Sequence, residues 1–179
     1  MTSSTSHRLP TNVRPVRYAI ELAPDLATFT FTGSETIQVQ VEEPTREILL
    51  NAAEMEITAA SVTLPDGRSV EASVSLDEDA ERATLQFGSD IPAGDATLSF
   101  TFNGTLNDQL RGFYRSQYEG PNGEPRYLAT TQFEATDARR AFPCWDEPQA
   151  KAEFEITLIV PSDLVAISNM PMASESPVA

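Results

Sequence analysis

One cysteine, one histidine and one lysine are all that 179 residues offer of these three side chains, and each scarcity closes off chemistry. With Cys144 alone there is no internal disulfide, and a closed zinc site would need an all-carboxylate ligand set. His7 is the only imidazole, so a Ser-His-Asp or Cys-His pair would have to draw on the N-terminal tail. The phosphate-cradling G-x-x-x-x-G-K-[ST], the dinucleotide G-x-G-x-x-G and the nucleophile elbow G-x-S-x-G are all absent. Apolar runs are short: the stretch from Ile156 to Pro161 is already broken by Thr157, far below the roughly 20 residues a membrane span needs. Residues Met1 to His7 lack the basic and apolar regions of a secretory signal and read as a disordered tail. A soluble, cytoplasmic protein that binds no metal of its own is the expectation.

What is abundant is acid. Asp and Glu total 27 against 12 Lys and Arg, a formal net charge of -15. That balance disfavours nucleic acid and anionic membrane as partners and favours cationic ones. The length fits one domain. Asn103-Gly104-Thr105 matches a glycosylation sequon but reads as an Asn-Gly turn.

Several segments alternate apolar and polar residues with period two, the pattern of strands with one face on a core. Tyr18, Ile20 and Leu22 form one row; Ile37, Val39 and Val41 a second; Leu98, Phe100 and Phe102 a third; Phe154, Ile156, Leu158 and Val160 a fourth. Turn signals punctuate them at Pro65-Asp66-Gly67, Asp77-Glu78-Asp79, Ser89-Asp90, Asn103-Gly104 and Pro121-Asn122-Gly123. Spacing this close leaves little room for crossover helices, so the pattern predicts an all-β fold, an antiparallel β-sandwich with at most one or two helical turns, the best candidate lying around Thr136 to Ala141. Met170 to Ala179, with two prolines and no strand pattern, reads as a loop.

The densest chemistry lies between Thr130 and Leu158, where the only Trp, the only Cys, paired arginines and several acids surround two prolines. Phe142 and Trp145 can anchor this connection on the core, and Asp137, Arg139, Arg140, Asp146 and Glu147 can satisfy one another as ion pairs. Cys144, between Pro143 and Trp145, reads as a buried inert thiol. In Gly112-Phe113-Tyr114-Arg115, packing of aromatic and arginine outweighs any phosphate contact.

Three segments together resemble one family. RLPTNVRPVRYAIEL spans Arg8 to Leu22, LNDQLRGFYRSQY spans Leu106 to Tyr118, and TQFEATDARRAFPCWDEP spans Thr131 to Pro148. In order and spacing they resemble the zinc aminopeptidases of the aminopeptidase N type, most closely the puromycin-sensitive aminopeptidase branch. The resemblance implies a saddle-like β domain over residues 8–179, lacking its last strands, ahead of a catalytic domain absent from this chain. It further implies removal of N-terminal residues from peptides, and a Zn2+ whose ligands lie outside this chain, as does G-A-M-E-N with its second carboxylate.

By the same resemblance, Glu134 and Gln132 are the substrate-binding residues. Glu134 would hold the free N-terminal ammonium of the peptide, and Gln132, two residues earlier on a period-two segment, would line the same side while Phe133 turns to packing. Relatives with leukotriene hydrolase activity carry Gln where this sequence has Glu134, so a carboxylate there favours plain aminopeptidase action. The partners implied are a peptide with a free N-terminus and the catalytic domain of the same chain. A non-catalytic relative serving as a scaffold or interaction module is the alternative, and a free-standing β-sandwich binding module is a third reading. On residue type alone, Glu134 would be a solvated face residue; only the motif sets it apart.

Overall fold

A computed structural model describes residues 8–178; the tail expected at Met1 to His7 lies outside them. Ten strands follow in chain order: β1 (Val13–Asp25), β2 (Thr30–Val41), β3 (Thr45–Asn51), β4 (Met55–Thr63), β5 (Ser69–Asp77), β6 (Arg82–Ile91), β7 (Gly94–Thr105), β8 (Gly112–Glu119), β9 (Pro125–Gln132) and β10 (Glu153–Leu158). The one helical piece among the described residues is a 3-10 turn at Ala138–Arg140, inside the segment where the sequence placed its helical candidate. Eight strands form one curled sheet in the order β10-β1-β2-β7-β4-β5-β6-β3, and β8 with β9 makes a separate two-stranded ribbon. The fold is all-β.

Three of the four alternating rows build the core. Tyr18, Ile20 and Leu22, then Ile37, Val39 and Val41, then Leu98, Phe100 and Phe102 are all buried, on three adjacent strands. Antiparallel register brings the rows side by side: Tyr18 opposes Ile37, and Ile37 opposes Leu98. In β1 the register shifts between Pro15 and Arg17, where proline withholds a ladder donor, and Val16 is left half exposed.

The fourth row departs from expectation. β10 pairs with β1 in parallel, with Tyr18 opposite Phe154 and Ile20 opposite Ile156, rather than antiparallel. Period two reports two faces, not strand direction, and the chain reaches this edge only after crossing from the β8–β9 ribbon. Phe154 and Ile156 are exposed because β10 is an edge strand covered by β1 on one side alone. Phe154 still stacks on Tyr18, ring centroids 4.8 Å apart and planes nearly parallel.

Two turn signals are also overturned. Ser89-Asp90 lies inside β6 and Asn103-Gly104 inside β7. Gly104 is there for space, not for turning: it opposes Phe31 across the β2–β7 ladder, and a Cβ on it would overlap that ring. Gly33 mirrors it, opposing Phe102, whose ring occupies the corresponding space. Phe31 and Phe102 are each 1% exposed, so neither ring has somewhere to go. Gly33→Ala or Gly104→Ala is therefore expected to destabilise the domain by roughly 1–2 kcal/mol through overpacking, read as a lower urea midpoint with an unchanged slope. A midpoint equal to the unsubstituted domain's would contradict it.

Candidate functional site

The ribbon β8–β9 delivers the motif. Its tip is a turn in which Gly120 N–H donates to Glu124 O at 2.8 Å and Gly123 N–H to Gly120 O at 3.0 Å, and the register runs back from Glu119 opposite Pro125 to Gly112 opposite Gln132. Gln132 is thus the last residue of the ribbon. Its neighbour Phe133 turns inward, edge-on to Phe142 at 5.9 Å, and joins the core.

Glu134 stands outside any strand, correcting the expectation that one period-two segment carries it with Gln132. The ladder ends at Gln132 because the chain bends there: Asp137 N–H donates to Phe133 O at 3.0 Å, closing a turn over Glu134, Ala135 and Thr136. The Glu134–Ala135 peptide is cis. Both Gln132 and Glu134 are exposed, on either side of the packed Phe133. None of the ion pairs or side-chain hydrogen bonds among the described residues involves either of them.

Behind the turn, the two arginines spend their donors on carboxylates. Arg139 Nε meets Asp146 at 2.9 Å and its Nη1 meets Glu81 at 3.2 Å. Arg140, 8% exposed, contacts Asp137 at 2.8 Å, Glu54 at 2.5 Å, and Glu81. Burial by itself would lower the Arg140 pKa, but the Asp137 hydrogen bond and the charges of Glu54 and Glu81 raise it, so the guanidinium is a fixed cation. Glu147, expected to pair with arginine, instead accepts the Leu9 N–H at 2.7 Å.

Backbone bonds stitch the rest of the motif to the β3–β4 connection. Asn51 and Cys144 exchange N–H···O bonds of 2.8 and 2.9 Å, Ala53 N–H donates to Arg139 O at 2.9 Å, and Trp145 N–H donates to the Tyr18 hydroxyl at 3.2 Å. Cys144 is buried, and that burial pushes its thiol pKa well up, away from nucleophile behaviour. Arg115 lies over the Phe29 ring at 4.4 Å, a packing role.

Beside the Glu134 turn lies a hollow of about 210 Å3, lined by Tyr18, Ala135, Ala138, Phe142, Trp145 and Phe154 among others. The arrangement therefore offers the exposed carboxylate of Glu134 on an anchored turn, next to a recess that Asp146 and Glu147 also line, those two already engaged by Arg139 and the Leu9 N–H. It can hold a cation. Among the described residues no group of three or more His, Cys, Asp or Glu side chains is placed to hold a metal, so these residues do not fit a zinc ion.

Two features escaped the sequence reading. Glu54 and Glu81, the outer partners of Arg140, gave no local signal. Glu35 did: it keeps the same parity along β2 as Ile37, Val39 and Val41, which places a carboxyl in a core row, and it is 3% exposed.

No helix among the described residues is long and apolar enough to cross a membrane. Residues 14–179 match the family described as the Peptidase M1 N-terminal domain. Aminopeptidase M1-C of Oryza sativa subsp. japonica is 52% identical over 169 residues, covering 94% of this chain and 19% of its own length. The puromycin-sensitive aminopeptidase of Caenorhabditis elegans is 43% identical over 173 residues, 96% of this chain and 18% of its own. Aminopeptidase N of Acetobacter pasteurianus is 41% identical over 170 residues, 95% of this chain and 47% of its own. The chain thus spans about a fifth of the rice and nematode relatives and about half of the bacterial one. By that match over residues 14–179 and these identities, this chain belongs to the peptidase M1 family, as its N-terminal domain.

Proposed function

We propose that this chain supplies the substrate anchor of a zinc-dependent aminopeptidase, with Glu134 holding the free N-terminal ammonium of a peptide and Gln132 lining the pocket beside it. The metal and a second carboxylate belong to a part of the parent protein outside this chain. The observation that carries the reading is an exposed carboxylate, unpartnered among the described residues, on a turn fixed at both ends, within a chain whose relatives are named aminopeptidases.

The physics asks more of Glu134 than its own domain provides. An exposed ion pair is worth only about 0–1 kcal/mol, too little to select one terminus of a peptide. Buried under a covering surface, where the effective dielectric constant is near 20, a carboxylate and ammonium about 4 Å apart attract by about 4 kcal/mol. The anchor therefore works when the rest of the parent chain closes over it, which makes that domain a partner in the proposal alongside the peptide. A fixed anchor also sets depth: with the ammonium held, only the first peptide bond reaches the reacting position. The acidic surface argues against nucleic acid and membrane as partners, and the buried unpaired Cys144 suits a cytoplasmic setting.

The test compares leucine p-nitroanilide with its N-acetyl derivative on the full-length protein. Hydrolysis of the free amine alone, with at least about a hundredfold preference, is expected from a desolvated anchor. Equal hydrolysis of both, or of neither, overturns the reading, and the second result would favour a scaffold.

A further inference from the structure

The turn that presents Glu134 and the ribbon end that presents Gln132 converge on one buried side chain. Phe133 O accepts from Asp137 N–H and closes the turn; Asp137 Oδ1 then accepts from Arg140 Nε at 2.8 Å. Arg140 N–H donates back to Asp137 O at 3.2 Å, so backbone and side chain both tie it to the turn. Its remaining guanidinium nitrogens go to Glu54 and Glu81. Those two acids sit at tight corners with positive φ, 56° and 52°, in the β3–β4 and β5–β6 connections. The corners are themselves joined by Ala52 N–H donating to Glu81 O at 3.2 Å.

The other side of Arg140 meets the ribbon. Gly112 opposes Gln132 at the ribbon base, has φ +66°, and a Cβ there would lie 2.6 Å from the Arg140 Cβ. Arg140 thus packs against the residue that sets the position of Gln132, and grips the residue that closes the turn of Glu134. Each guanidinium nitrogen contacts a carboxylate of this chain and the residue is only 8% exposed, which sets it apart from a substrate-binding side chain.

We propose that Arg140 is the positioning residue of the anchor, aiming Glu134 through Asp137 and Gln132 through Gly112. This rests on the reading of Glu134 given above, and it goes beyond that reading by placing the aim of the carboxylate in an ion-pair cluster on the far side of the turn. The competing account is that the cluster only stabilises the domain.

The two separate in a double-mutant cycle on the full-length protein. Asp137→Asn removes one charge from the link and keeps its shape; it is expected to lower kcat/KM for leucine p-nitroanilide about tenfold, as loss of a charged hydrogen bond does. In a Glu134→Ala background the same change is expected to cost less than about twofold, because the carboxylate that the Asp137 link aims is gone. A paired readout uses L-leucine hydroxamate and its des-amino analogue 4-methylpentanohydroxamate: only the ammonium-bearing inhibitor is expected to weaken, by the same factor. Glu54→Gln, on a half-exposed side chain that folding tolerates, gives a second reading of about threefold in the same direction.

Losses that multiply in the double variants, or equal weakening of both inhibitors, overturn the positioning role and leave the anchor standing. A Glu134→Ala enzyme with unchanged kcat/KM overturns the anchor itself, and the positioning role with it.

Discussion

Replacing Glu134 with alanine in the full-length protein is expected to cost about 3–5 kcal/mol of transition-state stabilisation, roughly two to three and a half decades in kcat/KM on a free-amino substrate. The size follows from what the substitution strands. In this chain Glu134 is exposed and costs nothing to lose, so the penalty arises wholly in the closed complex, where a peptide ammonium out of water is left without its partner. Because the ammonium, on the carbon next to the scissile carbonyl, carries the same charge in ground and transition states, most of the loss should fall on KM. A smaller fall in kcat should accompany it, since a peptide without its anchor samples several depths. Glu134→Gln, which keeps size and one acceptor, belongs between the two. Steady-state kinetics on leucine p-nitroanilide decides the matter, and an alanine variant within twofold of the unsubstituted enzyme would remove Glu134 from the site. The domain's thermal midpoint should not move, because neither variant breaks a bond among the described residues.

How much of this was legible in the sequence differs between fold and site. The core rows on β1, β2 and β7 could be read directly, since every second residue from Tyr18, Ile37 and Leu98 is apolar and each is buried. Direction and position could not. The same alternation in Phe154 and Ile156 describes an edge strand in parallel pairing, and Asn103-Gly104 describes strand rather than turn because its glycine makes room for Phe31. Local patterns carry local information, and both errors concern what lies opposite in space.

Within the site, Glu134 and Gln132 were marked only by the resemblance of Thr131 to Pro148 to a known family; periodicity placed both on one strand, and the chain bends between them. The charges around Arg139 and Arg140 suggested ion pairs within the motif, which holds for Asp137 and Asp146. Glu54 and Glu81, contributed from corners 86 and 59 residues away from Arg140, were out of reach of any local rule.

Glu35 was within reach, and its consequences for stability are large. The carboxyl sits on β2 between Ile20 of β1 and Phe100 of β7, and neither of its oxygens has a hydrogen-bond partner. The titratable groups that it acts on, Tyr18 and the Cys144 thiol, are neutral and buried, and burial is the cause of its own shift. Burial therefore raises its pKa well above the ordinary 4.5, and the folded domain holds Glu35 protonated where the unfolded chain has already released the proton. The folded state then binds more protons than the unfolded one, so stability falls as pH rises. The contribution is present in full below about pH 4.5, declines through the interval up to the raised folded value, and is flat above it. Burial raises the Tyr18 hydroxyl and the Cys144 thiol with the same sign, but their losses begin only where a free thiol or phenol would titrate, at 9.0 and 10.0, which leaves the interval from pH 5 to 8 to Glu35. Glu35→Leu, apolar and of similar reach, removes both the unmet hydrogen bonds and the proton, and is expected to stabilise the domain by roughly 2–4 kcal/mol at pH 8 and by much less at pH 4.5. Urea midpoints of the two proteins measured every half pH unit give the difference directly, with the exposed carboxylates Asp25, Asp66 and Glu124 cancelling because both proteins carry them. A difference that stays constant from pH 4.5 to 8 would mean that Glu35 ionises normally and that water or a cation reaches it in solution.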